Sequence, residues 1–518
     1  MKRASVLFGI VATCAVSAFA GDLNGDGFAE LVVGAPQAKL DGLGGPADGV
    51  VYLIPGSALL GLDVMNELTI RPSDCGIAPN VSPTQAVNFG LAIALGNFDG
   101  DEYDDLAIGA PGATVDGNPG GVVVVLYGTQ FGVIPSDAEI WSQNTPGIQD
   151  KAEHWPGSGD IHTTFEEFGK SLVTGDFNGD GFDDLAIGVA EKVGSTVDAG
   201  GVHVIYGGPH GLSAKHDRLW TQNSSGVKGK AEVGEEFGSV LAAADFDQDG
   251  FDELVIGTPF ETIGKSPIGV VQVLRGSAKG LTSHGNQLLK PPNFKSESLT
   301  EAEFGVALAV GDFDGDTFPD LAVSNPTETS VQNPALTGSI WIYHGGAGGL
   351  VKHGATRLTQ EGLGLTLTAA HDFGRGLAGG DFDGDGFSEL AIGEPHQLSS
   401  PGVTGGGVFV LKGAATLSGV GATFWSQDSS GIIGVGANGE AFGSVLATAN
   451  VNGDECPELL VGAPFDANDS DGFGSVLCLY GVKDTGLVST SNTLLGTDTF
   501  LDPPGFQGPA NFGNAIGR

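Results

Sequence analysis

Positive charge is what this sequence has least of: 22 Lys and Arg stand against 63 Asp and Glu, a net charge of −41 over 518 residues. That balance repels nucleic acid and anionic membrane surfaces, so neither is expected as a partner. Cysteine is nearly as scarce. Only Cys75, Cys456 and Cys478 follow Cys14, too few for a disulfide scaffold. Three unpaired, mostly buried thiols are expected, with a single Cys456–Cys478 bridge as the alternative. No run of 18 or more apolar residues occurs after residue 20, so no spanning helix is expected there. Catalytic signatures are missing too. Neither H-E-x-x-H nor G-x-S-x-G occurs, and the ten histidines are scattered. The stretch from Gly434 to Gly439 has the spacing of a dinucleotide loop, but it leads into Phe442-Gly443 and an apolar strand pattern instead of a helix. Charged residues make up 16% and aromatics 8% while glycines number 88, which suits short strands and tight turns better than long helices.

What the chain does have is one stretch repeated with variations, most completely at Asp381–Pro395, DFDGDGFSELAIGEP. Asp381, Asp383, Asp385 and Glu389 stand at positions 1, 3, 5 and 9 of a nine-residue loop, and the glycine at position 6, Gly386, permits the positive φ that turns it back. Four carboxylates and the carbonyl of Phe387 form an oxygen cage for a hard cation; calcium takes six to eight oxygens at about 2.3–2.6 Å. An EF-hand would continue into a helix and place its bidentate Glu at position twelve. Here a short apolar run closed by Gly393 and Pro395 follows, which is a strand and its stop.

The loops begin at Asp22, Asn97, Asp176, Asp245, Asp312, Asp381 and Asn450, with spacings of 75, 79, 69, 67, 69 and 69. A unit of this size holds four strands, the size of a propeller blade. In the fourth unit Phe237-Gly238 opens one strand, a second follows Glu253, and a third runs from Gly269 to Gly276. Trp141, Trp220 and Trp425 mark the fourth strand in three units, where packing between blades is the expected role and sugar binding the alternative.

At these landmarks the chain resembles the FG-GAP repeat family, whose best-known members are the propeller heads of integrin α subunits. The resemblance rests on Phe89-Gly90 with Gly109-Ala110-Pro111, on Phe442-Gly443 with Gly462-Ala463-Pro464, and on seven loops in one register across residues 21–518. It implies an all-β, seven-bladed β-propeller with calcium in loops on one face. Integrin α chains continue into leg domains and a transmembrane helix; residues 21–518 contain no such segments, and a free-standing, monomeric propeller is the expectation.

The expected calcium ligands are Asp22, Asn24, Asp26 and Glu30; Asn97, Asp99, Asp101 and Asp105; Asp176, Asn178, Asp180 and Asp184; Asp245, Asp247, Asp249 and Glu253; Asp312, Asp314, Asp316 and Asp320; Asp381, Asp383, Asp385 and Glu389; and Asn450, Asn452, Asp454 and Glu458. Twenty-three of them are carboxylates, so much of the negative charge is in register and not scattered for solubility. The loops at Asp245, Asp312 and Asp381 have four carboxylates each and are expected to bind best. Glu102 and Thr317 replace the position-6 glycine; a non-glycine residue at positive φ costs about 1 kcal/mol, so both loops are expected to be weaker. The loop at Asn450 is poorest, with Glu455 at position 6 and two carboxylates at liganding positions.

Residues 1–20 carry Lys2 and Arg3 before an apolar core and end in Ala18-Phe19-Ala20, the pattern of a cleaved signal peptide, so a secreted or cell-surface protein is expected. A lipid anchor through Cys14 is the alternative. The C-terminal Phe512-Gly513 plus five residues and the Gly21-Asp22 at the start of the mature chain together complete one repeat, so the ring is expected to close with strands from both termini. Two insertions, residues 144–165 with His154, Trp155 and His162, and residues 286–303, could carry binding functions or be solvated connections. The sequons at Asn80, Asn223 and Asn468 are near chance frequency. The expected function is a binding or adhesion module for an extracellular protein or glycan. The alternative is a carbohydrate-active or hydrolytic enzyme with its site in the propeller channel, which an acidic and aromatic cluster there would favour.

Overall fold

The computed structural model describes residues 21–38, 48–58, 61–78, 86–115, 118–151, 166–194, 196–264, 266–291, 303–329, 337–351, 354–364, 372–466, 474–496 and 515–516. The expected leader, the centres of both insertions and the sequons at Asn80 and Asn468 lie outside the described residues. Among the described residues seven antiparallel sheets of three or four strands follow one another along the chain, with three two-stranded ribbons beside them, and the helical elements are three short 3-10 turns. Blade 4 sets the pattern. Val240–Ala244, Glu253–Thr258, Val270–Arg275 and Thr282–Leu289 pair in sequence order. Blade 3 has three strands, its fourth reduced to a bridge between Val202 and Trp220. The first strands of successive blades pack side by side around the channel.

Second and third strands are covered on both faces because blades stack face to face, which is why they read as unbroken apolar runs and not as alternation. Asp105–Ala110, Asp184–Val189 and Glu389–Glu394 are buried throughout. The stacking also explains the Phe-Gly and Gly-Ala-Pro landmarks. In blade 2 the Gly90 amide donates to the Gly109 carbonyl at 2.9 Å. A Cβ on Gly109 would lie 2.1 Å from the carbonyl oxygen of Gly169 in the next blade, so only glycine allows that approach. Phe89, Phe168, Phe237, Phe304, Phe373 and Phe442 are fully enclosed between blades. Trp141 and Trp220 are buried in inter-blade clusters, and Trp425 packs against another, the structural role expected of them. Cys75, Cys456 and Cys478 are free and buried.

The ring closes as the sequence predicts. Ala515–Ile516 pairs antiparallel with Leu31–Ala35, Ile516 opposite Val33 and Ala515 opposite Gly34, so blade 1 takes its first strand from the C-terminal end. No helix among the described residues is long and apolar enough to cross a membrane.

Candidate metal centres

In blades 2 to 7 the nine-residue loop joins the first strand to the second, and in blade 1 the loop at Asp22 leads into the second strand beside the C-terminal one, so all seven fall on one face. In five loops position 1 is Asp, and its carboxylate folds the loop by accepting backbone N–H groups. Asp176 accepts from Gly179 at 2.6 Å, Asp180 at 3.1 Å and Gly181 at 2.8 Å, and Asp22 and Asp312 repeat the set. The amide of position 6 must point at that carboxylate, which gives position 6 a φ near +90°: 88° at Gly181, 89° at Gly250 and 91° at Gly386. Thr317 holds φ 79° there, the strained backbone expected of it.

The expectation for Glu102 fails. Glu102 is not among the residues of positive φ, and neither is Glu455. In both of these loops position 1 is Asn, whose Nδ2 donates to the carbonyl of position 5, Asn97 to Asp101 at 2.8 Å and Asn450 to Asp454. That carbonyl points inward where the Asp loops point an amide, so the peptide is turned over and glycine is not required at position 6. Position 4 takes positive φ in all seven loops, from 54° at Gln248 to 74° at Gly100 and Gly315.

Position 9 is partly a strut. In every loop its carboxylate accepts the amide of position 2, from 2.7 Å at Glu30 to 3.1 Å at Asp320. Its other oxygen accepts the amide of the glycine that ends the third strand in blades 2, 3, 5 and 6: Gly128, Gly207, Gly345 and Gly413. Burial raises the pKa of Glu30, Asp184, Glu253 and Glu458 to about 8, and of Asp105 and Glu389 to about 7. A bound cation would offset that penalty.

Position 3 divides the loops. Where it is Asn, its amide donates to the position-9 carboxylate: Asn24 to Glu30 at 2.7 Å, Asn178 to Asp184 at 3.3 Å, Asn452 to Glu458 at 2.9 Å. In blades 2, 4, 5 and 6 it is Asp, and in the last three a basic side chain from the end of the third strand faces it: Arg275 on Asp247, His344 at 3.0 Å from Asp314, Lys412 on Asp383. Carboxylates whose ligand atoms lie within 4.8 Å of one another occur, among the described residues, as Asp245-Asp247-Glu253, Asp312-Asp314-Asp316 and Asp381-Asp383-Asp385, with Asp314-Asp320-His344 as a mixed set. The other four loops bring no such trio together. Asp247 is buried and its Oδ1 lacks a hydrogen-bond partner. Oxygen donors, an orphaned buried oxygen and protein cations already lodged among the carboxylates make these groups fit for a hard cation.

Two features escaped sequence reasoning. Position 8 ties loops together: Asp104, Asp183 and Asp252 accept the position-1 amide of the preceding loop at 2.8–2.9 Å. The ring of loops closes where Ala29, at position 8 of the first loop, donates to the carbonyl of Asn450. Position 7 is aromatic in six loops, and in five of them it sits over the position-4 glycine of the preceding one, as Phe251 does over Gly179 and Phe28 over Gly453. The Asp at position 8 in three consecutive loops was a visible signal.

The FG-GAP repeat model matches the chain seven times, at residues 15–54, 89–126, 168–205, 237–274, 304–343, 373–411 and 442–477. Integrin alpha-PS2 of Drosophila melanogaster is 30% identical over 243 residues, 45% of this chain and 15% of that protein. Integrin alpha-5 of Xenopus laevis is 30% identical over 241 residues, 45% and 19% of the two chains. Phosphatidylinositol-glycan-specific phospholipase D of Rattus norvegicus is 36% identical over 177 residues, 33% and 19%. The aligned parts thus span under a fifth of these relatives. Among solved structures, the exotype rhamnogalacturonan lyase YesX superposes with a TM-score of 0.44 at 15% identity, over 92% of this chain and 73% of that one.

Proposed function

The chain belongs to the FG-GAP repeat family, and from that premise we propose that it is an exported, calcium-binding propeller acting as a monomeric binding module for another extracellular macromolecule, protein or glycan, and not as an enzyme. The observation that carries the reading is where the polar chemistry lies. The described channel-facing first strands, such as Ile93–Gly96, Val240–Ala244 and Leu377–Gly380, carry no carboxylate, imidazole or aromatic side chain. Their threonines serve the backbone, Thr174 donating to the Leu95 carbonyl and Thr448 to that of Gly379. Twenty-three carboxylates stand instead in the loops of one face, where calcium would hold each loop between two strands; a second set of buried acids, Glu191, Glu394 and Asp466, sits at or just beyond the opposite ends of the second strands and accepts from Gln143, Gln360 and Gln427. Likeness to integrin α subunits supports the adhesive class of partner. Cleavage after Ala20 and export belong to the same proposal.

A site with Kd near 10⁻⁴ M stabilises the fold by about 1.4 kcal/mol at 1 mM calcium, and several sites add up. Melting with calcium and with chelator tests the metal: a higher Tm in calcium is expected, and identical curves would sink it. Saturable capture of an extracellular protein or glycan by the immobilised chain, lost in chelator, tests the binding role. Absence of any saturable partner in calcium would overturn that role.

A further inference from the structure

The residue that ends the third strand occupies one register in every blade, immediately before a glycine: Pro55, Tyr127, Tyr206, Arg275, His344, Lys412 and Tyr480. Two of the tyrosines turn away from their own loop to the next blade, the hydroxyl of Tyr127 accepting the Leu212 amide at 3.0 Å and that of Tyr206 the Leu281 amide at 3.1 Å. The basic residues turn inward. Arg275 meets Asp247, with Nε 3.6 Å from Glu253 and a terminal nitrogen 3.8 Å from Asp249. Lys412 meets Asp383 and lies 3.2 Å from Asp385. Arg275 and Lys412 therefore stand against liganding positions 3, 5 and 9 or 3 and 5, where a metal ion would be held. They occur only where position 3 is Asp and the loop has four carboxylates; the loops at Asp22 and Asp176 have three carboxylates and Asn24 or Asn178 instead.

Building on the calcium reading above, we propose that Arg275 and Lys412 are built-in counter-cations that weaken calcium binding in their own loops, so that the loops richest in carboxylates are not the tightest sites. The fourth carboxylate adds one negative charge and the strand-end cation removes it. For calcium to enter, the guanidinium or ammonium must withdraw from its partners or remain beside a divalent ion. A like charge a few ångströms from the ion lowers affinity by on the order of tenfold or more even at a surface-like dielectric. Without calcium, the same cation keeps crowded carboxylates from repelling one another, so blades 4 and 6 hold their loops unaided. Blades 1 and 3 lack this device, and their loops depend more on the metal.

The test titrates calcium alone into the full chain by calorimetry and records Tm in calcium and in chelator, for the wild type, Arg275→Gln, Lys412→Gln and the double variant Asp383→Asn/Lys412→Gln. The last gives blade 6 the neutral arrangement of blade 3 and keeps the test open if a single variant folds poorly. Each single variant is expected to gain about tenfold or more in affinity at one site while its Tm in chelator falls. The double variant is expected to recover the chelated Tm. Unchanged or weakened affinities in the single variants, with Tm lowered equally in calcium and chelator, would make these residues structural only and overturn the proposal while leaving calcium binding intact. If neither wild type nor variants bind calcium, the calcium reading itself is overturned.

Discussion

Blades 3 and 4 are neighbours with the same loop backbone and opposite electrostatics. In blade 3 the buried Asp184 is held by the amide of Asn178 and by the backbone amides of Phe177 and Gly207. In blade 4 the buried Glu253 faces a second carboxylate, Asp247, and Arg275 lies between them. Counting carboxylates ranks blade 4 as the better cation site. Adding the strand-end residue cancels that advantage, because a charge's neighbours set its effect more than the number of like charges does.

The largest expected effect tests whether the two loops share one ring at all. Deleting residues 515–518 removes the strand paired with Val33 and Gly34, and Tm should fall by on the order of 10 °C in one cooperative transition. A truncated chain melting like the full one would break the comparison, since the blades would then stand independently. Next in size, Asp184→Ala leaves the Phe177 and Gly207 amides without their acceptor, a loss of about 2–3 kcal/mol by denaturant titration. A cost below about 0.5 kcal/mol would show that position 9 is a ligand only and not a strut.

A pH series sharpens the electrostatic side. Burial raises the pKa of Asp184 and of Glu253 to about 8. A carboxyl with a raised folded pKa binds its proton more tightly when folded, so its contribution is full below the unfolded value near 4 and is lost as pH rises through about 8. Chelated protein should therefore be less stable at pH 9 than at pH 6, and calcium should narrow that difference. A chelated protein that gains stability over this interval would contradict the assignment. The smallest effect concerns the backbone. Gly181→Ala meets no atom within 4 Å but must hold φ 88°, costing about 1 kcal/mol, whereas Glu102→Gly in blade 2 should give no gain because that position is not at positive φ.

Much of the architecture was legible in the residues. Seven loops at near-constant spacing gave the blade count. The Phe-Gly plus five residues at one end and Gly-Asp at the other gave the closure that Ala515–Ile516 makes with blade 1. What was not legible depended on partners distant in sequence. Asp184 bonds to Gly207, at the far end of the third strand, so its double role cannot be seen in the nine-residue loop. Arg275, His344 and Lys412 have meaning only once the third strand is laid beside the second. The error at Glu102 was avoidable: Asn97 with Glu102 and Asn450 with Glu455 are the two loops pairing Asn at position 1 with Glu at position 6, and that shared pairing signals a turned peptide.

The most direct measurement is an anomalous difference map from crystals of the full chain grown at sub-millimolar calcium, which reads every loop separately. The account predicts peaks in the loops at Asp22 and Asp176, weaker or none at Asp245 and Asp381, and none at Asn450. Peaks strongest at Asp245 and Asp381, or no peak in any loop, would contradict it.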